Sequence, residues 1–270
     1  VLVTSSLVAV RGLVRSLHSR FRFEPQNATL ANTDLDMAGY TGDRVEEMQR
    51  RMLDAVTAIP GVTAAGYAAR VPLGVDWSES SVYRDETTNY IPSNKAGDAL
   101  QYAVSPGYFR AAATAMLMGR TFTWHDDAKA PHVAVVNEEL ARRLFGSPAK
   151  AVGGYFKVGD GSRVGVVGVV EDGKYKTLAE SPQPAMFFPI LQRPTSAMWL
   201  VVRSSGRSQQ EVAAEIDRTL HTLDPALPVN INSWYQELSS ALFAPRAATI
   251  ALGVLGVLGA ILSITGLFGL

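Results

Sequence analysis

Hydrophobic positions return at helical spacing in two separate stretches of the chain. After Asp43, the residues Val45, Met48, Met52, Val56 and Ile59 recur every three or four positions, which places them on one helix face. Asp43 with Glu46 three residues later predicts a capping box at its start, and Pro60-Gly61 ends it. A strand-like run to Tyr67 follows. The same order comes back later. Met198 to Arg203 reads as a short apolar strand, and Ser208-Gln-Gln-Glu211 is a second capping box. Val212, Ile216, Leu220 and Leu223 line one helix face until Asp224-Pro225 stops it. Leu227, Val229 and Ile231 then alternate with polar residues, the period of a strand. The pattern predicts two βαβ-like units, at about 27–69 and 197–233, packed into one subdomain with the chain between them as an insertion.

The insertion has its own texture. Val133 to Val136 reads as a buried strand, and Asn137 as the cap of a short helix with Leu140 and Leu144 inward. Phe156 to Val170 reads as a hairpin turning at Gly159-Asp160-Gly161. Residues 72–100 are rich in Ser, Asp, Asn and Thr and read as a long exposed loop.

Both ends point to a membrane. Residues 247–270 hold no charged side chain, and roughly 20 apolar residues suffice to cross a bilayer. Glycine weakens a helix in water, but in lipid it lets helices approach closely. Gly253, Gly256, Gly259, Ala260, Ser263 and Gly266 are therefore the candidate helix-packing residues; Gly256 to Ala260 and Gly259 to Ser263 have small-xxx-small spacing. At the other end, an apolar stretch precedes Arg11, Arg15, Arg20 and Arg22, which alternate with Leu13, Val14, Leu17 and Phe21 as a basic amphipathic helix. Basic residues beside a span ordinarily mark the cytoplasmic side, a rule that weakens when a long domain follows. With no Met at its start, the chain reads as a segment of a longer protein.

Composition narrows the function. Charged residues make up 19% of the 270, below the usual quarter, and Lys plus Arg equals Asp plus Glu at 25 each. That balance lacks the basic footprint of a nucleic-acid binder. There is no cysteine, which excludes disulfides and thiolate metal sites.

No pattern of reactive residues assembles into a catalytic set. Gly168-Val-Val-Glu-Asp-Gly173-Lys174-Tyr175 nearly matches the phosphate-binding G-x-x-x-x-G-K-S/T loop. It has Tyr175 where a metal-ligating hydroxyl belongs, and Glu171 and Asp172 where phosphates would sit; a strand leading into a turn fits better. His125, Asp126, Asp127 and His132 are close in sequence, but Ala130-Pro131 breaks any helix that would align them, so they read as a solvated loop. Ser105-Pro-Gly-Tyr lacks the G-x-S-x-G of a nucleophile elbow. No cofactor, catalytic or metal residue is assigned.

Several phrases together resemble a known family. Val135 to Phe145 (VVNEELARRLF) resembles the VVNExxARRxF segment of MacB-like permease domains. Gly165 to Tyr175 (GVVGVVEDGKY) resembles their VVGVVxDxxY hairpin, Pro184 to Pro189 (PAMFFP) their Pxxyxp strand, and Leu223 to Pro228 (LDPALP) their LDPxLPV turn. Ala55 to Val62 and the Gly-rich final run fit in the same order. The likeness extends to FtsX-like permeases and is nearest the duplicated type abundant in acidobacteria, which lack a fused ATPase.

The resemblance implies an α+β periplasmic domain of βαβ units, flanked by transmembrane helices of an ABC transporter permease in the bacterial inner membrane. Residues 1–23 would end one span and form a basic stalk. Residues 24–70 with 190–235 would form a porter-like subdomain, 71–189 the inserted second α/β subdomain, and 236–270 a stalk and the next span. Implied partners are a separate cytoplasmic ABC ATPase, membrane lipid, and a second copy or paired permease repeat, with no nucleic acid. The domain would couple helix motion to substrate handling outside the membrane; relatives export macrolides, peptides or lipoprotein-type cargo. Other readings of the residues are an extracytoplasmic sensor or binding module of a receptor, a hydrolase using the His125–His132 loop, and a permease kept only as scaffold.

Overall fold

The computed structural model describes residues 23–74, 76–178, 180–241, 251 and 253–258. Their strands form one continuous sheet with two dissimilar ends.

At one end, β1 (Ala28–Asp34) lies between β11 (Val229–Ser233) and β10 (Ala197–Ser204), and β10 also pairs with β2 (Val62–Ala68). All three pairings are antiparallel. β1 and β2 are therefore parallel to each other with β10 between them, and β10 and β11 are parallel with β1 between them. Helix α1 (Asp43–Thr57) connects the first parallel couple and α5 (Gln209–Leu223) the second, so two split βαβ units interleave. Both helices cover the same sheet face. Met48, Met52 and Val56 of α1 and Val212, Ile216 and Leu220 of α5 bury against Ala31, Tyr67, Leu200 and Val202. Each such side chain contributes about 1.5–3 kcal/mol on burial.

The two helices start differently. Ser208 Oγ accepts from the Glu211 N–H at 3.3 Å and the Glu211 carboxylate accepts from the Ser208 N–H at 3.1 Å, a complete capping box. The capping box expected at Asp43 does not form. Gly42 occupies the cap position with φ +57, and Glu46 instead pairs with Arg50 one turn on at 2.7 Å.

At the other end the strands close on themselves. β4 (Gly97–Val104) pairs with β3 (Glu79–Arg84), then follow β7 (Tyr155–Val158), β8 (Arg163–Val170), β6 (Val133–Asn137) and β9 (Ala185–Pro189), which pairs back with β4 in parallel. This six-stranded ring removes the exposed edges that a small sheet would otherwise present. All six strands send side chains to one core: Val82, Ala99, Val136, Phe156, Val166 and Met186 meet there. Helix α3 (Glu138–Phe145) adds Leu140 and Leu144 to it, and the short α4 (Pro148–Ala151) follows. β5 (Met116–Gly119) extends the sheet along β8 beyond the end of β7. β7 and β8 form the hairpin, with Lys157 opposite Arg163 and Gly161 in the turn at φ +83.

The stretch 72–100 is not a loop throughout. β3 and the start of β4 lie in it, and Val82 and Tyr83 are buried. Its polar residues sit on the outward face of paired strands, which composition alone reads as solvent.

Candidate functional site

The four-stranded end and the ring share one narrow seam. β2 and β4 are paired only at Ala68 and Val104. Beside that pair, the Ser105 N–H donates to Tyr67 O at 3.0 Å and the Ala69 N–H to Ala103 O at 2.9 Å. The short helix α2 (Tyr108–Ala112) is wedged where the strands part. Its leading turn, Ser105-Pro-Gly-Tyr, is structural: Ser105 Oγ accepts from the Tyr67 N–H at 2.7 Å. Gly107 has φ +90, and a Cβ there would lie 2.5 Å from Ala65 O. A Cβ on Gly66 would lie 2.4 Å from the Tyr108 nitrogen. Backbone rests on backbone, so glycine is required from both sides.

Aromatic rings carry the contact outward. Phe109 of α2 meets Phe187 of β9 edge-on at 5.1 Å, and Tyr102 of β4 stacks on Phe187 at 5.3 Å. Tyr175 and Phe122 flank this group. Tyr108 and Tyr175 are buried, and burial pushes both phenol pKa values upward, so they stay neutral.

The two ends of the described core meet on the other side of α2. Phe23 stacks on Trp234, the first residue of α6 (Trp234–Ala241), at 4.7 Å with 21° between planes. Trp234 is fully buried, and its indole N–H has no acceptor among the described residues. Arg203 bolts the incoming chain to α2. Its guanidinium donates to Ala111 O at 2.8 Å, to Gln26 O at 3.1 Å and to Glu24 O. Burial lowers its pKa, and three carbonyl acceptors offset the lost water. The Glu24 N–H also donates to Ala112 O at 2.9 Å. Phe23, Trp234, Tyr108, Phe109, Tyr102 and Phe187 thus belong to one continuous core.

Of the predicted helix-packing residues, Gly253 and Gly256 fall within the described residues, in a helical stretch spanning 253–258. Gly256 is buried, while Val254, Leu255, Val257 and Leu258 are each half or more exposed. Gly259, Ala260, Ser263 and Gly266 lie outside the described residues. So does the basic segment before Phe23. Among the described residues, no helix is long and apolar enough to cross a membrane.

The His125–His132 segment departs from a simple solvated loop. Asp126 is buried and takes both terminal nitrogens of Arg120 at 2.8 Å, plus the Thr123 N–H at 2.8 Å. No cluster of three or more His, Asp or Glu with metal-binding geometry occurs among the described residues. The Gly168–Tyr175 run is likewise structural. A Cβ on Gly168 would lie 2.4 Å from Arg120 O, and Asp172 accepts from the Glu139 N–H at 2.7 Å, where it helps cap α3. Sequence patterns missed the seam entirely. Its one legible signal was the pair of glycines at Gly66 and Gly107, next to aromatic residues.

The fold is similar to that of solved extracytoplasmic domains. The periplasmic region of MacB from Actinobacillus actinomycetemcomitans aligns with a TM-score of 0.51 at 13% identity, covering 82% of this chain and 95% of that one. Two others align more loosely. The extracellular domain of the noncanonical ABC-type transporter YknZ from Gram-positive bacteria has a TM-score of 0.46 and 18% identity, over 75% of this chain and 99% of that one. A domain of a putative permease from Porphyromonas gingivalis has a TM-score of 0.44 and 15% identity, over 78% and 92%. No curated protein sequence matches the chain.

The family is set by sequence. Residues 1–219 match the MacB-like periplasmic core domain, and the chain belongs to that family. It is an ABC transporter permease component with an extracytoplasmic domain, not a classical enzyme.

Proposed function

We propose that this domain transmits motion of flanking membrane helices to substrate handling outside the bacterial inner membrane. In this reading a separate cytoplasmic ABC ATPase supplies the work, and residues 1–23 and 236–270 are stalks and spans. The porter-like subdomain is 24–70 with 190–235, and 71–189 is the subdomain it moves. The permease acts as a homodimer or as a paired repeat, and Gly253, Gly256, Gly259, Ala260, Ser263 and Gly266 let its helices pack closely.

One observation carries the reading. The segments that would leave for the membrane, at Phe23 and Trp234, are stacked in the same buried core, and that core continues through α2 to the ring. A packed core responds to a shift of two stalks as a unit because interiors are close-packed and poorly compressible. Exposed Val254, Leu255, Val257 and Leu258 support the membrane reading, since such an apolar helix surface is costly in water.

The test uses the full-length permease with its ATPase in proteoliposomes. Trp234→Ala removes the stacked ring, whereas Trp234→Phe keeps it and deletes the unpartnered N–H. The expected outcome is retained ATP hydrolysis with export lost in the alanine variant and kept in the phenylalanine variant. Normal export by a folded Trp234→Ala protein would end the coupling reading.

A further inference from the structure

A cleft of about 420 Å³ opens at the end of the seam away from the Phe23–Trp234 pair. Ligand pockets run from roughly 300 to 1,000 Å³, so it has room for a small molecule or the end of a peptide. Both connections between the four-stranded end and the ring line it: Arg70, Asp76 and Ser78 come from the first, Arg193 and Thr195 from the second. Its floor is Tyr102, Ala103 and Phe188 of the ring.

The polar groups at the rim are donors with capacity to spare. The Arg193 guanidinium carbon lies over the Phe188 ring, 4.2 Å from its centroid, and the group makes no ion pair among the described residues. Arg70 gives only its Nε to Asp76, at 2.9 Å, and its two terminal nitrogens have no acceptor among the described residues. Ser78 Oγ accepts from Gln101 Nε2 at 2.7 Å, which leaves the serine proton free to turn toward a ligand. Asp76 answers one of the two arginine charges, and Asp160 lies near enough to feel Arg193 without bonding to it. Arg70 and Arg193 thus turn guanidinium N–H groups to a cleft that also holds Ser78, Gln101 and Thr195, with Tyr102, Ala103 and Phe188 among its lining.

We propose that this cleft binds a carboxylate carried on a small apolar body, such as the C-terminus of a short peptide or a free organic acid. The planar guanidinium matches a carboxylate in two parallel N–H···O bonds. Ala69, Ala103, Pro194 and Ala197 lie among the polar lining residues and leave room for a short, uncharged body beside the carboxylate. Because the occupant touches both connections, it would bridge the two ends of the sheet. The site stands apart from the coupling role, and its test needs neither ATP nor a partner.

The experiment is calorimetric titration of the full chain in detergent with three probes: N-acetyl-trialanine, its C-terminal amide, and acetate. Saturable binding of the tripeptide acid is expected, with the amide at least about tenfold weaker, the factor a charge-assisted hydrogen bond carries. Arg193→Gln and Arg70→Gln should each weaken the acid by a similar factor. Arg218→Gln, on the exposed face of α5, should leave it within about twofold. Acetate binding as well as the tripeptide points to a free acid as the occupant; tighter tripeptide binding points to a peptide end. Equal binding of acid and amide, wild-type binding by a folded Arg193→Gln chain, or no saturable binding of either acid would overturn the proposal.

Discussion

Single residues carry more of this structure than their surroundings in sequence announce. Asp126 is buried with a half-exposed arginine partner. The hydrogen bonds from Arg120, followed by those from Thr123, hold its carboxyl below the usual range despite burial. A depressed folded-state pKa means its stabilisation is present above the unfolded value, about 3.9, and is lost as pH falls through the lower folded value. Asp126→Asn should therefore cost about 1–3 kcal/mol at neutral pH, the penalty for weakening buried charge-assisted bonds. In urea titrations the gap between wild type and variant should close in acid below about pH 4. A gap that stays constant with pH would show that the ion pair does not matter. The seam glycines make a second case. Gly107→Ala meets both a positive φ and Ala65 O, whereas Gly146→Ala, at φ +80, meets open space. Gly146→Ala should cost about 1–2 kcal/mol of backbone strain alone, and Gly107→Ala clearly more. Equal midpoints for the two in thermal melts would refute the backbone-on-backbone contact.

Elements were legible from sequence in proportion to their length and to how one-sided their burial is. α1 and α5 bury one stripe each, so their spacing stood out, and so did the capping box at Ser208. Ser208→Ala should lower stability by about 0.5–2 kcal/mol. Asp43→Ala should cost less, since no side chain caps α1; comparable losses in denaturant melts would mean that the α1 start is miscast. The cap at Asn137 was legible too, but half of its role was not. Its Oδ1 accepts from the Leu140 N–H at 3.1 Å and from the Ala185 N–H at 2.9 Å, which joins the helix start to β9, 48 residues further along the chain. No local pattern reports a bond of that span. β3 was lost because its outward residues are polar. α2 was lost because five residues are too few to show a period. Of the seam, α2 gave no sequence signal, whereas the family phrases fall on β6, α3, β8, β9 and the end of α5, and only the β9 phrase supplies a seam residue, Phe187.

At the scale of the molecule, three cores are arranged in series. One lies under α1 and α5, one fills the strand ring, and the third spans the seam between them. The first two could each hold a folded unit. The third supplies most of the contact between them, because the strand pairing across the seam is a single residue pair. Phe109 is its most exposed dependency in this sense: it touches the rings of Tyr108, Phe122 and Phe187 and is itself buried. Phe109→Ala should cost about 3–5 kcal/mol, the usual penalty for emptying a large aromatic site. The loss falls on the link and not on either end. Wild type should thus unfold in one cooperative transition, while Phe109→Ala separates into two, with the strand ring and the α1–α5 end reporting different midpoints by hydrogen exchange. Phe156→Ala, inside the ring alone, is the contrast: it should lower the ring's midpoint and leave the seam's amides protected. If Phe109→Ala instead shifted a single transition downward with all amides moving together, the seam would be ordinary core, and a route for motion from the chain's ends to the ring would have lost its physical basis.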